Sequence, residues 1–104
     1  MKLLVAFAVL GLSIASAKTF HIDLSTPAKA GNADLAPGHY NVVLNASQVR
    51  FTDVDTGKST ETNAKVQNVA KKFAYTAVES KTVDGHSQIQ EIDLGGTKTK
   101  ATFN

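Results

Sequence analysis

The chain has 104 residues, with 11 Lys or Arg, 9 Asp or Glu, no cysteine and no tryptophan. That length allows one small domain with a thin core and excludes two independent domains or a large cofactor-enclosing enzyme. The formal net charge is only +2, which excludes a broad basic surface made for nucleic acid.

Residues 1–17 have the three parts of a leader. Lys2 supplies a positive end, an apolar run from Leu3 to Leu12 is interrupted only by Gly11, and Ala15-Ser16-Ala17 places small residues at the −3 and −1 positions. The pattern predicts a secretory signal peptide cleaved after Ala17, followed by a single β domain over residues 18–104. The run is shorter than the roughly 20 apolar residues that span a bilayer, so no membrane insertion is expected after cleavage. A cysteine-free chain can carry neither a lipidated cysteine nor a disulfide, and stability must come from a well-paired sheet. Short leader and missing cysteine together point to bacterial export, to the periplasm or the medium.

Beyond the leader no long segment keeps helical periodicity, and eleven threonines favour a pleated, half-buried surface. Phe20, Ile22 and Leu24 alternate with Thr19, His21 and Asp23 as a first strand. Residues 25–34 are small and polar and read as loop or irregular edge. Pro37-Gly38 stands where a type II turn takes Pro second and Gly third. Tyr40, Val42 and Leu44 form a second strand, and Val49 with Phe51 a third, across a turn at Asn45-Ala46-Ser47. Those three residues also match the glycosylation pattern, but a turn is expected. Asp55-Thr56-Gly57 closes the next hairpin. Residues 64–73 are ambiguous between a helical turn and a strand, and an edge strand with an irregular exit is expected. Phe73, Tyr75 and Ala77 predict a further strand, turned back by Asp84-Gly85, a strong two-residue hairpin signal. If Gly95-Gly96 is also a two-residue loop, Asp93 faces Lys98, Glu91 faces Lys100 and Ile92 faces Thr99, with a bulge near Gln90. The sum is an all-β fold: a small antiparallel β-sandwich, or alternatively a small barrel, of seven or eight short strands.

Two stretches carry a resemblance. Leu35-x-Pro37-Gly38-x-Tyr40-x-Val42 resembles the turn of transthyretin-like and carboxypeptidase-regulatory-like β-sandwich domains. Together with Lys71-Lys72-Phe73 and the ending Ile92-x-Leu94-Gly95-Gly96-Thr97-Lys98-Thr99-Lys100-x-x-Phe103-Asn104, it is similar to a group of small exported bacterial β-domain proteins of unassigned function. The resemblance implies a secreted β domain and brings no catalytic residues with it.

Candidate chemistry is sparse. His21, Asp23 and Ser25 have the residue types of a hydrolase triad, but strand neighbours two apart are separated by about 6.6 Å, whereas triad members touch. His21 and Asp23 with His39 or His86 are a loose metal set without the spacing of a zinc motif, and no metal is expected. Glu91 and Asp93 resemble a glycosidase pair, yet alternation with Ile92 and Leu94 points them to solvent, where Lys98 and Lys100 neutralise them. Lys65, Lys71 and Lys72 form the one basic cluster, without interleaved aromatics, so nucleic acid is not an expected partner. Phe20, Tyr40, Phe51, Phe73 and Phe103 fall at core positions, and Tyr75 is expected to join them, leaving no stacking platform for a sugar. The expectation is a non-catalytic exported β-sandwich without a cofactor. Its role is binding or structural in the envelope, with an unidentified protein or glycan partner; the alternative is a glycan- or small-ligand-binding module.

Overall fold

The computed structural model describes residues 18–103; the leader and cleavage site expected from the sequence lie outside the described residues. Ten strands follow in order: β1 (Thr19–Leu24), β2 (Ala28–Ala30), β3 (Ala33–Leu35), β4 (Gly38–Asn45), β5 (Gln48–Asp53), β6 (Ser59–Asn63), β7 (Lys65–Asn68), β8 (Ala77–Val83), β9 (His86–Asp93) and β10 (Thr99–Thr102). The described residues contain no helix.

Two sheets pack as a sandwich, and neither closes into a barrel. One is antiparallel in the order β1-β4-β5-β6; the other runs β3-β2-β9-β10-β7, with β8 also paired to β9. β8 follows one edge of β9 along its length. The opposite edge is divided between β2, parallel to Ser87–Ile89, and β10, antiparallel to Glu91–Asp93. The β2–β9 pairing makes the second sheet mixed, a departure from the all-antiparallel expectation. Residues 25–34, expected as loop or irregular edge, hold β2 and the start of β3, two short strands at the edge of the second sheet. Three-residue strands of Ala, Lys, Asp and Leu carry too short an alternation to stand out.

Where alternation is longer it decides the inside. Ile22, Tyr40, Val42, Val49 and Phe51 are buried from the first sheet, and Ile89, Ile92 and Ala101 from the second, with Phe103 just past β10. Phe51, fully buried, meets the edge of Tyr40 with ring centroids 6.5 Å apart and lies 6.2 Å from Phe103.

Pro37-Gly38 does something other than a type II turn. Gly38 has φ 156°, is the first residue of β4, and marks where the chain leaves one sheet for the other. Tyr40 fixes the crossing, because its hydroxyl donates to the Ala36 carbonyl at 2.6 Å, as in the tyrosine corners of Greek-key sandwiches.

Asp84-Gly85 is the expected tight hairpin, with Val83 opposite His86 and φ 51° and 80° at the two loop residues, as a type I′ turn requires. Gly95-Gly96 is not. Thr97 N–H and its hydroxyl both donate to the Leu94 carbonyl, and Leu94 N–H donates to the Thr99 carbonyl, so the loop is longer by two residues. The register moves with it: Lys100 faces Asp93, Ala101 faces Ile92 and Thr102 faces Glu91. A shift of two keeps every side chain on its expected face. The bulge expected near Gln90 is present, since Glu79 faces Glu91 while Ser80 faces Ile89.

Candidate functional site

Most of the residue sets named from the sequence do not assemble. His21 and Asp23 share the exposed face of β1, but each bonds across to β4 and not to the other. His21 Nδ1 lies 2.7 Å from Asn41 Oδ1, and His39 Nδ1 lies 2.5 Å from Asp23 Oδ1. That contact, then the Asp23 charge, raises the His39 pKa above the usual imidazole value. Ser25 is exposed in the bend after β1, and His86 sits on β9 in the other sheet. Lys65, Lys71 and Lys72 are all exposed. Phe20 and Phe73 are half-buried, but Tyr75 is 74% exposed, and residues 73 and 75 lie in an irregular segment before β8. The expected burial of Tyr75 and its strand are therefore corrected. That segment is held to the Leu94–Thr97 turn by bonds from Phe73 N–H to the Thr97 carbonyl and from Gly96 N–H to the Phe73 carbonyl.

Glu91 and Asp93 behave differently from expectation. Asp93 is only 9% exposed, and its Oδ1 is buried without a hydrogen-bond partner among the described residues. Alternation correctly turns it away from Ile92. It stays buried because β9 is an interior strand, with Ala77 of β8 on one side and Lys100 of β10 on the other. Glu79, directly opposite Glu91 on β8, completes the group: one carboxylate oxygen from each of Glu79, Glu91 and Asp93 lies within 4.8 Å of the others. The sequence expectations do not include Glu79. The signal existed, because counting back from the Asp84-Gly85 hairpin brings Glu79 within one residue of Glu91.

One ammonium answers three carboxylates. Lys100 Nζ lies 3.3 Å from Glu91 Oε1, and both side chains are largely covered. Lys98 is exposed and makes no ion pair among the described residues, so its expected pairing with Asp93 is absent. Burial pushes the Asp93 carboxyl up to about 6, helped by its hydrogen bond with Glu91 and the charges of Glu91 and Glu79. Glu91 moves down, first through the same hydrogen bond and then through Lys100. The opposed shifts favour Asp93 over Glu91 as the carrier of the proton the pair takes up as pH falls.

A raised carboxyl of this kind could act as an acid, but a substrate needs a concavity beside it. One cleft, of about 590 Å³, lies between Pro27, Leu35, Pro37 and His86. Two others, of about 530 and 190 Å³, open beside Ala46 and Val66 and beside Phe20 and Leu94. None of the three is lined by Glu79, Glu91 or Asp93.

The carboxylates border a different feature. β8 pairs only with β9, and with seven residues it is the longest described strand with an unpaired edge, against six for β1, five for β6, four for β7 and three for β3. Residues 79–83 are all exposed. Natural sheets protect such edges with proline, a bulge or a charge. Here the bulge residue is on β9, β8 has no proline, and Lys81 is the one cation on the strand.

No protein-family model, curated protein or solved structure matches the chain.

Proposed function

We propose that the protein is an exported, non-catalytic β-sandwich of the bacterial envelope that works by binding, accepting a strand of a protein partner along the free edge of β8. The observation that carries this reading is the seven-residue unpaired edge beside three carboxylates and one ammonium. Backbone groups along the edge supply affinity, and the unbalanced negative charge selects a basic side chain on the incoming strand. The leader pattern ending in Ala15-Ser16-Ala17 supports export.

The test is a photoreactive amino acid at Ser80, compared with one at Glu61 on β6, in cells exporting the protein. A discrete adduct from position 80 and none from position 61 is expected. No adduct from position 80 contradicts the reading.

Tyr75 favours glycan binding as a second reading, because a 74% exposed aromatic ring is a ready stacking surface. Titration with oligosaccharides should then move the Tyr75 ring resonances and leave those of buried Tyr40 in place.

A further inference from the structure

The geometry points to a second copy of this chain as the strand that β8 accepts, antiparallel and related by a two-fold axis through Ser80. The inference rests on the reading of β8 as the contact edge and names its occupant. In that register Glu79 stands opposite Lys81 of the partner subunit, and Lys81 opposite the partner's Glu79. Val78 meets the partner's Thr82, and Ala77 the partner's Val83.

Charge complementarity is what singles out this pairing. Glu79 and Lys81 lie two apart on β8 and therefore on one face, the face of Glu91 and Gln88. A two-fold axis perpendicular to the sheet preserves faces, so the partner's Lys81 arrives among the carboxylates. Lys81 has no ion-pair partner among the described residues, and Glu79 has no cation of its own. Each copy supplies what the other lacks, and the three carboxylates then meet two ammonium groups in place of one.

The neighbouring charged registers and the edges of β1 and β6 offer no such exchange of free opposite charges. Moving the axis to Glu79 or to Lys81 sets like charge against like, which is destabilising in directly opposed pairs. On β6, an axis through Glu61 opposes Glu61 to itself. On β1, His21 and Asp23 are already bonded to Asn41 and His39. Lys81 thus bars an arbitrary strand from β8 and admits one that carries an acid opposite it.

Seven residues of edge make a small interface, so association should be weak and dependent on concentration. Sedimentation equilibrium of the purified exported protein, from about 5 µM to about 0.5 mM, should show the mass rising from monomer toward dimer. Glu79→Lys and Lys81→Glu should each weaken dimerisation by about tenfold or more. The double variant Glu79→Lys/Lys81→Glu, which restores opposite charges in the same register, should recover it. Unchanged circular dichroism and melting midpoints establish that each variant is folded. A monomer at every concentration overturns the proposal, as do single variants that dimerise like the parent protein. A Ser80 adduct to a different protein with a monomeric purified chain overturns only this inference. Absence of any adduct also removes the reading beneath it.

Discussion

Lys100 stands opposite Asp93 in the β9–β10 ladder, yet its ammonium bonds Glu91, 3.3 Å away on the diagonal. The longer loop at Gly95-Gly96 causes this. Asp93 is left buried beside a cation committed elsewhere, and it retains a proton that an exposed aspartate would lose.

The Asp93 pKa fixes the sign of a pH effect. The unfolded chain releases this proton near 3.8, whereas the folded chain holds it to about 6. The folded state binds more protons in that interval, so the residue's contribution to stability falls as pH rises through it and stays low above. Asp93→Asn keeps a donor toward Glu91 and removes the charge. It should stabilise the protein at pH 7.5 by about 1–3 kcal/mol, with the gain shrinking toward pH 4. Denaturant midpoints at the two pH values check this.

His39 gives a slope of the same sign in a higher pH window. Its pKa is raised by the hydrogen bond and charge of Asp23, so the pair contributes to stability below the unfolded value of 6.5 and loses that contribution as pH rises through the folded value. Asp23→Asn should bring the His39 titration down, as followed by its ring resonances. A His39 titration unmoved by the substitution would contradict the contact.

The two adjacent glycines should differ in sensitivity. A Cβ at Gly95 would overlap the backbone of Tyr75 and Thr76, which cannot swing aside as a side chain would. A Cβ at Gly96 meets nothing within 4 Å but must adopt φ 78°. Gly95→Ala should cost about 2–3 kcal/mol, and Gly96→Ala about 1 kcal/mol. Urea unfolding of the two variants ranks them.

Tyr40 offers a cleaner deletion. Tyr40→Phe keeps the edge-on contact with Phe51 and removes only the bond to the Ala36 carbonyl at the sheet crossing. The expected loss is about 1 kcal/mol in thermal or denaturant unfolding.

These cases also mark what was legible in the sequence. Phe20 to Leu24 and Tyr40 to Leu44 declared their strands because alternation is a local property of the pleat. Asp84-Gly85 declared its hairpin because few residue pairs accept two positive φ values. Gly95-Gly96 carried the same kind of signal and misled, since Thr97 bonds back to Leu94 and lengthens the loop. The parallel match of β2 with β9 joins segments far apart in the chain, and no local pattern encodes it. The convergence of Glu79 on Glu91 follows from the Asp84-Gly85 hairpin to within the one residue that the bulge at Gln90 adds. Tyr75 had the spacing of a core residue, but Phe73 and Gly96 are tied together before β8 begins, and the ring is left outside.

Amide hydrogen exchange along β8, measured at low and high protein concentration, tests strand addition at this edge most directly. Alternate amides between Ala77 and Val83, those directed away from β9, should become protected at high concentration, while the free-edge amides of β1 and β6 exchange as before. Unchanged exchange along β8, or new protection at β1 or β6 instead, would contradict it.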